Sequence, residues 1–178
     1  HKTLSFKDFG DYDTIKPDKF VLMRHDVEFS LSSALRIAEI DAEFGIQSTF
    51  FLLQTSEYNP FEAEQFSMVH KILSLGHNIG LHYDAAYLAS IGPIHEIAQK
   101  QIDLFESFFS TKIYAMSMHE PMRAGIKPFG LPGVFNTYDK MFMQDMKYLS
   151  DSNQSWREGV VTQNLEKYDK IHLLTHEY

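Results

Sequence analysis

Phe20-Val-Leu-Met-Arg-His-Asp-Val-Glu-Phe29 opens as an apolar run and then turns abruptly ionic. A short apolar run of this kind reads as a buried strand. Alternate side chains of a strand share a face, so Arg24, Asp26 and Glu28 point one way and His25 the other. A guanidinium, an imidazole and two carboxylates at the end of one hydrophobic strand are costly to bury unless paired or bound to something. Two readings fit: an Arg24–Asp26 ion pair at a strand end, or part of a ligand site.

The pattern repeats on the C-terminal side. Ser30 or Ser32 can cap a helix whose apolar positions are Leu31, Ala34, Leu35, Ala38 and Ala42, with Gly45 as its stop. Ser48-Thr-Phe-Phe-Leu-Leu53 is a second buried strand. Asn59-Pro60-Phe61-Glu62 reads as a helix start, Phe66, Val69, Ile72 and Leu73 as its stripe, and Gly76 as its end. His77-Asn-Ile-Gly-Leu-His82 is a third strand. Gly92-Pro93 opens a helix with Ile94, Ile97, Ala98, Ile102, Phe105 and Phe109 on one side. Lys112–Met118 is a fourth strand and 122–134 a loop. Asn136 with its neighbours, Lys147–Ser150 and Ile171–Thr175 complete the strands. Residues 1–19 read as polar and mixed, with a turn at Lys16-Pro17-Asp18. Strand and helix alternate over most of the chain, which predicts parallel pairing with helices outside.

Composition bounds the class. The chain has 178 residues, 44% hydrophobic and 22% charged, which suits one domain with a real core. A net charge of −8 argues against a nucleic-acid or anionic-membrane partner. Without cysteine there are no disulfides, and a metal would sit on His, Asp or Glu. No run is long enough to span a membrane and no signal peptide is visible, so a cytoplasmic protein is expected. The chain opens on His1 rather than Met, as a piece of a longer protein would.

The polar residues at strand ends say more than the alternation does. Asp26 and Glu28, Gln54, His82 and Asp84, His119, Asp151 and His176 each close an apolar run. In a parallel barrel or open α/β sheet these ends gather on one rim, where ligands bind. Helix capping serves Asp151 and Ser152 as readily as a site does, but it has no use for the histidines. Trp156 suits a sugar-stacking platform or plain packing equally. His77 lies roughly 16 Å from His82 along one strand and reads as structural, as does His172, which faces the same way as His176 but deeper.

At these positions the chain resembles the NodB-type polysaccharide deacetylases, the carbohydrate esterase 4-like family with a distorted, incomplete (β/α) barrel. That family's first motif ends a strand in Thr-Phe-Asp-Asp-Gly, where this chain has Arg24-His25-Asp26-Val27-Glu28. Its Ala-Thr-Phe-Phe strand is matched by Ser48-Thr49-Phe50-Phe51, and its Gly-His-Glu-Ile-Gly-Asn-His by Gly76-His77-Asn78-Ile79-Gly80-Leu81-His82. Its terminal Leu-X-His is matched by Leu174-Thr175-His176. The first motif is closer to a branch with His-Asp-Val-Asp that is linked to surface-polysaccharide biosynthesis. The span 1–178 is then one deacetylase-like domain, cut at either end.

The resemblance implies hydrolysis of an N-acetyl group on an amino sugar or polysaccharide precursor, assisted by a divalent metal, zinc first and manganese or magnesium next. By position Asp26 is the metal Asp, His82 the first metal His and His176 the general acid, with Asp151 as its partner. The second metal His falls at Ala86 and the base at His25, so the third ligand is sought among Glu28, Asp84 and His119. Arg24, His119 and Trp156 are the substrate-binding candidates. Two functions remain open: the metal-assisted amide hydrolase, favoured by Asp26, His82 and His176, and a degenerate barrel that binds carbohydrate without cleaving it, favoured by Ala86.

Overall fold

The structure, a computed structural model, describes residues 1–10, 17–123 and 125–177. Lys16, part of the expected turn, lies outside them. In chain order the elements are β1 (Lys2–Leu4), α1 (Phe6–Gly10), β2 (Phe20–Val27), α2 (Leu31–Glu43), β3 (Thr49–Leu53), α3 (Ala63–Ser74), β4 (Asn78–Tyr83), α4 (Ala85–Ile91), α5 (Ile94–Phe109), β5 (Ala115–Met118), β6 (Phe135–Asn136), α6 (Lys140–Met143), β7 (Lys147–Ser150), α7 (Val161–Asn164) and β8 (Lys170–His176).

Seven strands run in the order β6-β5-β4-β3-β2-β8-β7, every named pair parallel, and β1 adds to β2. The curled sheet with its helices is an incomplete (β/α) barrel. One edge of β2 is shared: Lys2–Leu4 pair with Phe20–Leu22, and Thr49 takes over opposite Arg24. The Phe6 amide donates to Thr49 Oγ1 at 3.0 Å where the two meet. This use of residues 1–10 was not legible from their composition.

The strand pleat sorts the side chains. Outward, Val27, Phe50, Leu52, Ile79, Leu81 and Tyr83 pack against Ala34 and Ala38 of α2, Val69 and Ile72 of α3, and Ala98, Ile102 and Phe105 of α5. The three expected helices thus lie outside the sheet. Inward, Leu4, Phe6, Phe20, Leu22, Phe51 and Phe142 fill the floor of the barrel. Gly80 is needed there: a Cβ would stand 2.6 Å from the Phe51 ring and 3.0 Å from the Ala115 carbonyl.

Helix ends follow the side chains available. Ser30 caps α2 by accepting from the Ser33 amide. Gly45, at φ 67°, ends it with bonds from Gly45 and Ile46 amides back to Ala42 and Asp41, a Schellman motif. The helix expected from Asn59 starts later, at Ala63, because Glu62 itself caps it, accepting from the Glu64 and Gln65 amides. Asn59 instead closes the preceding turn.

Candidate active site

The inward side chains of β2 change from apolar to ionic going up the strand. Leu22 belongs to the floor. Above it Arg24 Nε donates to Asp26 Oδ1 at 2.7 Å and a terminal nitrogen donates to Oδ2 at 2.6 Å. The same guanidinium donates to Ser117 Oγ and stands over the rings of Phe51 and Tyr138, 5.4 and 5.5 Å from their centroids. Arg24 and Asp26 are 0% and 2% exposed. Burial alone would raise the Asp26 carboxyl, but Arg24 and then His82 hold it below the ordinary carboxylate range. The ion-pair reading of this stretch is therefore correct, and it also delivers one carboxylate to the rim.

His82 arrives from β4. Its strand is not adjacent to that of Asp26, because β3 lies between them. Its Nδ1–H donates to the Ser117 carbonyl at 3.0 Å. A carbonyl can only accept, so Nε2 of the neutral ring is a lone pair. It points at Glu28 Oε1 (3.1 Å), His119 Nδ1 (3.3 Å) and Asp26 Oδ2 (3.7 Å).

His119 completes the group from the end of β5. Its amide extends the parallel ladder by donating to the Tyr83 carbonyl at 2.8 Å. Glu120, at φ 43°, then turns the chain away. His119 Nδ1 lies 2.9 Å from Glu28 Oε1. Glu28, His82 and His119 each bring one ligand atom within 4.8 Å of the others. Burial works against ionising Glu28, but a hydrogen bond from His119, and one from His82 when its Nε2 carries a proton, hold its carboxyl well below the usual range. Burial likewise lowers His119, and Glu28 more than reverses it, raising the imidazole.

His176 faces the same space from β8, in register with Asp26. Asp151 Oδ1 lies 2.6 Å from its Nδ1, and Asp151 Oδ2 accepts its backbone amide at 3.0 Å. Burial would lower this imidazole. The bond to Asp151 and the charges of Asp26 and Asp151 raise it instead. Its Nε2 lies 4.0 Å from Glu28 Oε1. A cavity of about 460 Å³ opens over Asp26, Glu28, His82 and His176 and is walled by Tyr138 and Tyr148.

Three expected site residues are not brought here. His25 is on the outward face of β2, as its alternation with Asp26 requires. Its ring stacks on Phe50, 4.6 Å between centroids, with Nε2 2.9 Å from Asp41 and Nδ1 2.6 Å from Thr175. Asp84 caps α4, accepting from the Tyr87 amide at 3.0 Å. Trp156 packs on the outer side of the sheet against Val21, Met23, Leu149, Ile171 and Leu173. Arg24 is buried behind Asp26, where the ion pair and not a ligand occupies it. His77 is structural, tying the Ser48 amide to the Ala38 carbonyl, and His172 is held neutral by burial, its pKa lowered to about 3. Sequence reasoning missed Ser117, Tyr138 and Tyr148. Only Ser117 left a trace, as a lone polar residue between Met116 and Met118.

No protein-family profile matches the chain, and no curated protein matches it. Solved structures do. A mutant of a Bacillus anthracis CE4 family pseudoenzyme with restored enzymatic activity aligns with TM-score 0.58 at 17% identity, over 90% of this chain and 57% of that one. The chitin deacetylase of Colletotrichum lindemuthianum aligns with TM-score 0.58 at 14% identity, over 88% of this chain and 73% of its own. A polysaccharide deacetylase from Bacillus cereus aligns with TM-score 0.56 at 14% identity, over 89% and 79%. The chain has the fold of the CE4 polysaccharide deacetylases. It spans little more than half the length of the first of these structures.

Proposed function

We propose that the chain is a cation-dependent amide hydrolase that removes an N-acyl group, acetyl first, from an amino sugar or polysaccharide precursor. The observation that carries this is the meeting of Glu28, His82 and His119 beside a cavity that Asp26, Glu28, His82 and His176 line.

The donor set suits a divalent ion. Two imidazoles and a carboxylate are a donor set of catalytic zinc centres, and Mn²⁺ also accepts such ligands. The His82 tautomer supplies the test: with Nδ1–H committed to Ser117, a lone pair faces a carboxylate at 3.1 Å. That arrangement is repulsive until a proton or a cation stands between them. A divalent cation held by Glu28, His82 and His119 would supply Lewis-acid polarisation of an acyl carbonyl and lower the pKa of a water. This assigns to His119 the place left by Ala86, and to Glu28 the ligand role expected of Asp26.

Asp26 is then the base. Arg24 keeps it ionised and fixes its orientation, and it can take the proton of the attacking water. His176 is the acid. Asp151 holds its ring and favours the protonated form, so Nε2–H can be delivered to the departing amine. The cavity, about 460 Å³, falls in the usual range for small-ligand sites, about 300–1,000 Å³. The finer assignment, to surface-polysaccharide biosynthesis, rests on the Arg24–Glu28 motif.

The test is release of free amine from N-acetylglucosamine oligomers by zinc-loaded protein, alongside its metal content. Amine release that stops on chelation and returns with the ion supports the reading. A bound ion and bound sugar with no amine released would leave the carbohydrate-binding reading, to which a pseudoenzyme neighbour lends support.

A further inference from the structure

Glu177 follows the last strand and does not face the cavity. Its side chain reaches back over the junction between β2 and α2 and is 3% exposed. Oε1 accepts from three consecutive backbone amides: Glu28 at 2.6 Å, Ser30 at 3.0 Å and Phe29 between them. Successive amides converging on one oxygen make an anion nest, and here the anion is a carboxylate 149 positions away in the chain. From the other side, Ser56 Oγ donates to the Glu28 carbonyl at 2.7 Å. Both backbone polar groups of Glu28 are therefore tied down by distant residues.

Helix capping does not account for this. Ser30 already caps α2 through the Ser33 amide. Glu177 binds the amides before that point, beginning with Glu28 itself. A glutamate has three side-chain torsions, and burying its carboxylate between two imidazoles fixes all of them. The carboxylate arrives at the same place only if the backbone beneath it does not move, since a site is held to its geometry by its supporting shell.

We propose that Glu177 is a positioning residue of the cation site: it fixes the backbone of Glu28 so that the Glu28 carboxylate meets His82 and His119. The inference rests on the reading of those three residues as cation ligands. It makes the end of β8 part of the site twice over, once through His176 and once, behind the ligands, through Glu177.

Zn²⁺ affinity measured by competition with a chromogenic chelator tests it, with the melting temperature of the chelated protein recorded for each variant. Glu177→Ala is expected to weaken Zn²⁺ binding about 10–100-fold, the usual effect of losing a partner behind a ligand. Glu177→Gln keeps an acceptor oxygen for the same amides and should restore most of the affinity. Glu177→Asp keeps the charge but shortens the reach, so it should bind weakly, and it decides the matter if the alanine variant does not fold. Wild-type affinity in Glu177→Ala or Glu177→Asp, with only the melting temperature lowered, would make Glu177 a fold tie and overturn the proposal. His82→Ala is the control: if it binds Zn²⁺ as wild type does, the ligand reading itself fails and takes the proposal with it.

Discussion

At the scale of single residues, the site replaces what its sequence lacks by reach from another strand. The position four after His82 is Ala86, and in the proposed cation site the imidazole comes instead from His119, whose Nδ1 stands 3.3 Å from His82 Nε2. His119→Ala should therefore weaken Zn²⁺ binding by more than the roughly 100-fold that bounds most outer-shell losses. Asp84→Ala should leave Zn²⁺ affinity unchanged and cost about 1 kcal/mol of stability, because Asp84 is a helix cap. Parallel metal titrations and urea melts separate the two. His176 gives a pH signature. Its imidazole is raised by Asp151, and as an acid it must be protonated. Activity then persists until the pH rises through that raised value, above that of an ordinary imidazole. Asp151→Asn removes the charge, so the descending limb of the kcat profile should move to lower pH. A limb that stays in place would remove Asp151 from control of the acid.

At the scale of elements, the strand pleat does most of the sorting. On β2 the same alternation that sends Arg24 and Asp26 inward sends His25 out to α2, where Asp41 receives it. A base expected from sequence position alone therefore lands on the wrong face. Between β3 and β4 the limit is close packing, since Gly80 lies in register with Phe51 and under its ring. Gly80→Ala should cost about 1–3 kcal/mol through overpacking, read as a lower urea midpoint with unchanged slope. Phe51 also stands beneath the Arg24 guanidinium. A shift of that ring would reach Asp26, and kcat should fall with the midpoint. His119 sits just past the end of β5, where the ladder with Tyr83 still fixes it.

At the scale of the whole molecule, the ionic layer sits above an apolar floor and ties folding to pH and, in the proposed function, to a cation. Asp26, Glu28 and Asp41 all have carboxyls lowered by their partners. Groups with depressed folded values add stability that is present above their unfolded values, about 3.9–4.3, and lost as pH falls toward the folded ones. The urea midpoint should accordingly hold near neutrality and drop below about pH 5. A cation that binds only the folded chain adds about 2.7 kcal/mol at 100 times its Kd. For a chain of this size that corresponds to a rise of roughly 5–10 °C in melting temperature. A melting temperature indifferent to Zn²⁺ would count against the site.

Some of this was fixed by the chain's local order. Apolar runs of strand length, helical stripes and caps such as Ser30 and Gly45 depend on residues a few positions apart, so β2 to β8 and the three large helices were legible, as was the gathering of Asp26, His82 and His176 on one rim. What the sequence could not carry was which ends meet and at what distance. That β3 separates Asp26 from His82, that His119 and Glu28 converge on His82, that His25 is claimed by Asp41 and Glu28 by Glu177, are consequences of strand order, register and curl. These are set by contacts between residues far apart in the chain, and no local pattern encodes a distance across a barrel.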